Sequence, residues 1–150
     1  MRPILSVVDL SNSAIQVLEV AARMAFAYKT QLTILFPYRL IDHGYKGEIS
    51  RLKSQLELDA KEKFIELAKH VRMLDQVTYE FLPEIGFPAD RINSFIKRSQ
   101  VQAVVISQRQ ANLMNEINPH ALQQLISNAR LPFTIVPEEA DVEIAVNSGC

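Results

Sequence analysis

The stretch Ile4-Leu5-Ser6-Val7-Val8-Asp9-Leu10-Ser11-Asn12-Ser13 decides the fold. Its apolar run from Ile4 to Val8 is too short for a helix and is typical of a β-strand buried on both faces. Ser11 or Ser13 is then expected to cap a helix, with Gln16 placed as in a capping box. That helix carries apolar residues at helical spacing, which are Ile15, Leu18, Ala22, Ala25 and Phe26. A buried strand that leads directly into such a helix is the first unit of a parallel α/β sheet.

The alternation of strand and helix continues along the chain. Short apolar or alternating runs predict strands at residues 31–36, 77–82, 103–106 and 133–136. Pro37 is expected to end the second strand, because proline cannot donate a ladder hydrogen bond. The longest periodic segment predicts a helix with an apolar stripe at Ile49, Leu52, Leu56, Ala60, Phe64, Leu67 and Val71.

The later helices are predicted from residues that are typical of helix N-termini. Gly86-Phe87-Pro88 opens a helix with proline near its first position, and its buried side is predicted to be Ile92, Phe95 and Ile96. Residues 107–117 are largely polar and are expected to form a loop. Asn118 and Pro119 predict the N-cap and first residue of the last helix, whose buried residues are expected to be Leu122, Leu125, Ile126 and Ala129.

This order of elements predicts the fold class. Strand and helix in strict alternation give an α/β protein of three layers, with an open, parallel, five-stranded, Rossmann-like sheet and helices on both faces. Ligands of such sheets bind beyond the carboxyl ends of the strands, where the strand order reverses. Asp9 after the first strand and residues 107–110 after the fourth are expected at that edge.

The end of the chain differs from the rest. We assign residues 1–137 to one domain and residues 138–150 to a C-terminal tail. In the tail, Val142, Ile144 and Val146 alternate with polar or small residues, while acidic residues cluster from Glu138 to Glu143. Both an additional edge or dimer strand and a disordered acidic tail agree with this pattern.

Composition narrows the classes of function. Hydrophobic residues make up 48% and charged residues 22%, as in ordinary globular domains, and the net charge of −1 gives no basic excess for nucleic acid. No apolar run reaches a membrane span or a signal peptide. The only cysteine, Cys150, predicts a chain without disulfides in the cytoplasm. The three histidines, His43, His70 and His120, lack metal-ligand spacing, so no metal is expected.

Several segments together resemble the universal stress protein family over about residues 2–137. They are the first strand ending in Asp9 with Ser11 and Asn12 after it, Gly86-Phe87-Pro88-Ala89-Asp90-Arg91-Ile92, Ala103-Val104-Val105-Ile106, and Ala129-Arg130-Leu131-Pro132 with Phe133-Thr134-Ile135-Val136 after it. The resemblance implies an adenine nucleotide alpha hydrolase-like sheet. It also implies a homodimer paired through the last strand, here Phe133, Ile135 and Val136.

The family divides into members that bind ATP and members that do not. The binders carry Gly-x-x-Gly, about nine residues, and then Gly-Ser/Thr, because glycine lets backbone N–H groups approach phosphate oxygens closely. Here those positions hold Ser107, Gln110 and, at or near the third, His120, with Ala121 in the Ser/Thr place. The chain contains four glycines, and none lies between residues 87 and 148. We therefore expect no ATP or AMP as a cofactor.

Six residues are candidates for a ligand site at the edge near the first and fourth strands: Asp9, Ser11, Ser107, Arg109, Gln110 and His120. In nucleotide-binding relatives the residue that matches Asp9 contacts the adenine end, whereas a structural Asp9 would cap the next helix and order the turn. Ser11 is interpreted as a cap, not a nucleophile, since no histidine is near in sequence. Arg109 and His120 either hold a small anion or lie on solvated surface.

The leading hypothesis is a non-catalytic stress-response or regulatory protein that acts as a homodimer, with an unknown protein partner and without ATP. The sequence contains no catalytic constellation such as paired carboxylates, Gly-x-Ser-x-Gly or Cys-x-x-Cys, so we expect no enzyme. One alternative is a nucleotide- or small-anion-binding protein with weak or no hydrolase activity. Another is an interaction module of a signalling or transport system.

Overall fold

Strands and helices alternate throughout the computed structural model, which describes residues 2–40 and 49–138. The strands are β1 (Ile4–Val7), β2 (Leu32–Tyr38), β3 (Tyr79–Ile85), β4 (Ala103–Ser107) and β5 (Phe133–Val136). The helices are α1 (Ser13–Ala27), α2 (Ile49–Ala68), α3 (Pro88–Arg98), α4 (Gln108–Ile117) and α5 (Ala121–Ala129), with a short 3₁₀ helix at Arg72–Gln76. The predicted tail beyond Glu138 lies outside the described residues.

The strands form one parallel sheet in the order β3-β2-β1-β4-β5. In β1, Ile4 pairs with Leu32 on one side and with Ala103 on the other. The chain therefore proceeds outward in one direction from β1 to β3 and in the other direction from β4 to β5. This confirms the predicted five-stranded parallel fold and places the reversal of strand order between β1 and β4.

Two hydrophobic cores cover the two faces of the sheet. Ile4 and Val8 pack with α1 and α2 in one core, whereas Leu5 and Val7 pack with α3, α4 and α5 in the other. β1 is fully buried because alternate side chains point to opposite faces and both faces are covered. Each fully buried Leu, Ile or Val contributes about 1.5–3 kcal/mol, which explains why the apolar run of β1 specifies the centre of the sheet.

The structure corrects the prediction for Pro37, which does not end its strand. β2 continues to Tyr38, and β3, expected at residues 77–82, extends from Tyr79 to Ile85 and contains Pro83. Beyond Leu35, β2 pairs with β3 alone, and β3 has no further neighbour in the described sheet. Proline fits there because a strand with a neighbour on one side only has positions whose backbone N–H makes no hydrogen bond to another strand.

The predicted loop at residues 107–117 is wrong, because these residues form α4. Ser107 caps the helix through its side chain, and Ala111 and Met114 pack into the core at a spacing of three residues. Asn118 ends α4 instead of starting α5, which begins at Ala121 with His120 as its N-cap. Few apolar residues mark α4, so its polar composition resembles that of a loop.

Candidate functional site

Asp9 orders the turn that joins β1 to α1. Its Oδ1 accepts hydrogen bonds from the backbone N–H of Ser11 at 3.0 Å and from the Ser11 hydroxyl at 2.6 Å. Between them, Leu10 adopts a φ of 62°, a left-handed conformation that persists in a leucine only where its surroundings hold it. One oxygen of Asp9 is therefore engaged by the turn itself.

The predicted helix cap at Ser11 or Ser13 is wrong. Asn12 occupies the N-cap position of α1, and its side chain makes no capping hydrogen bond. Ser13 is the first residue of the helix, and its hydroxyl lies 2.7 Å from the Ser11 hydroxyl. The two serines and Asp9 thus form a hydrogen-bonded turn beside the helix start, which uses the polar groups that the sequence assigned to capping.

The second oxygen of Asp9 pairs with Arg109 across the reversal point between β1 and β4. Asp9 Oδ2 lies 3.7 Å from Arg109 Nε, and the arginine side chain is 58% exposed. Such an exposed pair contributes about 0–1 kcal/mol, so it sets the positions of the two groups more than it stabilises the fold. The structure therefore brings Asp9, Ser11 and Arg109 together and gives the arginine a carboxylate from the same chain.

Two side chains engage the first N–H groups of α4. The Ser107 hydroxyl accepts a hydrogen bond from the backbone N–H of Gln110 at 3.0 Å, and Glu138 Oε1 accepts one from the N–H of Arg109 at 3.0 Å. Ser107 and Gln110 are both buried. A helix N-terminus attracts anions, and here a carboxylate of the chain lies at the place where nucleotide-binding folds hold phosphate.

His120 lies apart from this cluster. It is the N-cap of α5 with a φ of 67°, and it lines a separate depression of about 430 Å³ with Asn115, Gln123 and Ile126. Across residues 2–40 and 49–138, no hydrogen bond or ion pair joins His120 to Asp9 or Arg109. The structure therefore does not pair His120 with Arg109 around a common anion position.

A cleft on the other side of Asp9 was not predicted from the sequence. It has a volume of about 460 Å³ and lies between the carboxyl ends of β1 and β2 and the helix α2. Its walls combine aromatic, aliphatic and charged side chains: Asp9, Leu10, Phe36, Tyr38, Arg39, Leu56, Asp59, Ala60, Glu62 and Lys63. The sequence signal was weak, because Phe36 and Tyr38 lie at the end of a strand that Pro37 was expected to terminate.

Tyr38 anchors this cleft through Glu57 on α2. The Tyr38 hydroxyl donates a hydrogen bond to Glu57 Oε2. Burial raises the pKa of Tyr38 well above its usual range, and the hydrogen bond and negative charge of Glu57 raise it further. The hydroxyl therefore remains protonated at neutral pH and acts as a hydrogen-bond donor, not as a base.

Neither a metal site nor a membrane span is found in residues 2–40 and 49–138. Within these ranges, no group of three or more His, Cys, Asp or Glu side chains is arranged to hold a metal ion. Over the same ranges, no helix is both long enough and apolar enough to cross a bilayer.

The open parallel sheet in the order β3-β2-β1-β4-β5, with helices on both faces, defines a Rossmann-like α/β protein. A sequence model described as the universal stress protein family matches residues 1–137, and the chain belongs to this family. No curated protein sequence matches the chain.

Solved structures support the same fold. A universal stress protein in complex with cAMP superimposes with a TM-score of 0.67 at 13% identity, over 90% of this chain and 96% of the other. UspA from Lactobacillus plantarum gives a TM-score of 0.65 at 16% identity, over 90% and 97% of the two chains. A universal stress protein from Archaeoglobus fulgidus in complex with dAMP gives 0.62 at 21% identity, over 91% and 98%.

Proposed function

We propose that this universal stress protein is a non-catalytic regulatory protein that acts as a homodimer through protein contacts and does not use ATP. The observation that carries the proposal is the hydrogen bond between Glu138 Oε1 and the Arg109 N–H at the start of α4. With Ser107 on the Gln110 N–H, it engages backbone groups that a phosphate loop would direct to its ligand.

Charge repulsion at the start of α4 also disfavours a bound triphosphate. Two like unit charges 4 Å apart repel by about 1 kcal/mol in water and about 4 kcal/mol near a protein surface. A triphosphate at the start of α4 must displace Glu138 or accept that repulsion. Arg109 offers little compensation, since Asp9 already faces it. None of the residues 107–121 is glycine, so close backbone approach to a phosphate is also restricted.

Titration calorimetry with magnesium ATP tests the nucleotide part. We expect no saturable heat at millimolar ATP and physiological salt. A dissociation constant of about 10 µM or tighter, equivalent to about −7 kcal/mol or better, contradicts the proposal. The variant Glu138→Gln serves as a comparison, because it removes the charge at the start of α4 and retains a side-chain acceptor.

Support for the homodimer comes from the free side of β5. β5 pairs with β4 alone in the described sheet, and Ile135 is 36% exposed on it. α4 packs against β5 and exposes Leu113 and Ile117, which are 43% and 61% accessible. An unpaired strand with apolar neighbours is suited to pairing with a second copy of the same strand.

Sedimentation at micromolar concentration tests the dimer. We expect the wild-type chain to sediment as a dimer and Ile135→Asp to shift it to the monomer, because a charge on the paired strand would lose its hydration. Ile65→Asp is the matched control, since Ile65 is 57% exposed on α2 and should leave the dimer intact. A monomeric wild type overturns the dimer, and dissociation by both variants overturns its assignment to β5.

A second candidate function is the binding of a monophosphate of adenosine in the cleft at Tyr38. The cleft volume of about 460 Å³ falls within the range of small-ligand pockets. Two of the similar solved proteins are complexes with cAMP and dAMP. A ligand held mainly by its base depends little on a phosphate loop, so this candidate agrees with the absence of glycines from residues 107–121.

Thermal unfolding with cAMP, AMP and ATP tests the second candidate. A ligand at 100 times its Kd stabilises the fold by about 2.7 kcal/mol. Leu56→Trp would fill the cleft and abolish a shift that arises there. Leu58→Trp, at a position 52% exposed on the same helix, should leave the shift unchanged. The absence of any shift across the three nucleotides removes this candidate.

A further inference from the structure

Two arginines, Arg39 and Arg91, each contact the turn that follows β3. Arg39 follows directly after β2, and Arg91 lies in the first turns of α3. The backbone N–H of Gly86 donates to the carbonyl of Tyr38 at 2.8 Å, so the ends of β2 and β3 are joined there. We name Arg39 and Arg91 the Gly86 arginine pair. Arg39 also lines the cleft beside Asp9, but within residues 2–40 and 49–138 no ion pair joins either arginine to Asp9.

The side chain of Arg39 is positioned by an aromatic ring. Its guanidinium carbon lies 4.8 Å from the centre of the Phe87 ring. Guanidinium groups are attracted to the face of such a ring by its quadrupole, and the planar cation retains its N–H donors at its edge. Arg39 is therefore held over Phe87, and no side chain within residues 2–40 and 49–138 accepts a hydrogen bond from it.

Arg91 is positioned by the absence of a side chain at Gly86. A Cβ at Gly86 would lie 2.8 Å from Arg91 Nε and 3.0 Å from its Cδ, so only glycine allows the arginine to lie across the turn. The φ of Gly86 is 142°, a conformation that other residues rarely adopt. The single glycine between residues 49 and 138 thus permits both the turn and the position of Arg91.

Neither arginine has an ion-pair partner within residues 2–40 and 49–138, although Arg39 shares its cleft with Asp9, Asp59 and Glu62. The nearby Arg98, by contrast, pairs with Glu84. The only side-chain hydrogen bond of Arg91 in that part of the chain is from Nη2 to the Ser94 hydroxyl at 3.4 Å, and its Nε is buried without a partner. A buried donor without an acceptor costs stability unless a ligand supplies one.

The start of α3 adds to the positive potential. Phe87 is its N-cap and provides no side-chain acceptor, and Pro88 has no N–H. The N-terminal end of an 11-residue helix carries a partial positive charge beside the two arginines. Asp90 in the first turn is exposed and reduces this potential only in part.

We infer that the Gly86 arginine pair binds a phosphate group, as inorganic phosphate or as a phosphomonoester. A phosphate dianion presents oxygens to several donors at once, and guanidinium forks match this geometry. A single carboxylate has fewer oxygens than a phosphate dianion and half its charge. The site goes beyond the leading proposal, because it requires neither ATP nor the start of α4, and it shares only Arg39 with the cleft at Tyr38.

Titration with inorganic phosphate at constant ionic strength, followed by nuclear magnetic resonance, tests this inference. We expect the backbone N–H signals of Ala89 and Asp90 and the Nε–H signal of Arg91 to shift with a millimolar Kd. Arg91→Gln should weaken binding by about tenfold or more, since the charge and the fork are both lost. Arg39→Gln provides a second test at an exposed position, where folding is not at risk.

Arg51→Gln on α2 is the matched control, because it removes the same charge from an exposed position outside the pair. Equal weakening by Arg51→Gln and Arg91→Gln, or no shift at Ala89 and Asp90, overturns the inference. Shifts at residues 108–110 instead would assign the anion to α4 and also overturn it. Phosphoserine in a short peptide distinguishes the source, since binding tighter than that of free phosphate identifies a phosphorylated chain as the ligand.

Discussion

The two halves of the carboxyl edge of the sheet differ in whether their arginines and helix starts have a partner in the chain. At β1 and β4, Arg109 faces Asp9, and Glu138 bonds to the start of α4. At β2 and β3, Arg39 and Arg91 have no ion-pair partner within residues 2–40 and 49–138, and α3 begins without a side-chain cap. The same fold therefore has two helix starts, those of α3 and α4, at its carboxyl edge. In this chain, the start next to the reversal point already holds a carboxylate of the chain itself.

Among variants in either half of this edge, Gly86→Ala should cause the largest loss of stability. Alanine must adopt a φ of 142° and meets Arg91 at 2.8 Å, so we expect the free energy of unfolding to fall by about 2–3 kcal/mol. Urea denaturation measures this change.

The double variant Gly86→Ala/Arg91→Ala separates the two causes of that loss. It retains the backbone strain and removes the clash, so it should be more stable than the sum of the single variants predicts. Strict additivity would show that Arg91 does not lie across Gly86.

Ser107→Ala tests the other half by removing the cap of α4. The Gln110 N–H loses its acceptor in a buried position, and we expect a loss of about 1 kcal/mol. Ser54→Ala, on the exposed side of α2, should change stability little. If both variants unfold at the same urea concentration as the wild type, the Ser107 hydroxyl does not stabilise α4.

Tyr38→Phe tests the cleft beside β2. Loss of the hydrogen bond to Glu57 should cost about 1 kcal/mol at neutral pH. Because the folded-state pKa of Tyr38 is raised, its contribution is complete below the unfolded pKa of about 10 and is lost as the pH rises through the folded pKa. The variant should therefore lose less stability than the wild type above pH 10, which urea denaturation across alkaline pH measures. If the free energy of unfolding falls equally with pH in both proteins, the ionisation of Tyr38 is not linked to stability.

The fold could be predicted from the sequence because its signals are local. The apolar run of β1 and the stripes of the helices specify which faces are buried, and alternation of the two elements gives a parallel sheet. β5 has the bounds that the sequence predicted, residues 133–136. Pro37 misled the predicted end of β2, since proline in a strand is acceptable only where the sheet has a free side. That property depends on strand order, which no local pattern contains.

The candidate site was less predictable, because its contacts join distant parts of the chain. Arg109 and Glu138 are 29 residues apart, and no spacing rule relates them. One signal for α4 was present: Ser107 as a cap, followed by Ala111 and Met114 three residues apart. Buried Gln110 concealed it, since a polar side chain among the buried positions of α4 resembles a loop pattern.

Glu138→Gln should change the free energy of unfolding least among these variants. It tests directly whether the negative charge of Glu138 is stabilised at the start of α4. Glutamine retains a carbonyl acceptor for the Arg109 N–H but removes the charge, so we expect a loss of about 0.3–1 kcal/mol at low salt. The loss should shrink at high salt, because exposed charges are screened within about 3 Å at 1 M ionic strength.

Glu116→Gln is the matched control on the same helix. Glu116 lies in the last turn of α4, where a negative charge opposes the helix dipole, so its removal should stabilise the fold slightly. Opposite signs for the two variants, measured by urea denaturation at both salt concentrations, would demonstrate that the field of α4 acts on Glu138. If Glu138→Gln matches the wild type at low salt, the carboxylate is not held by that field. The edge at β1 and β4 would then be as open to anions as the edge at β2 and β3.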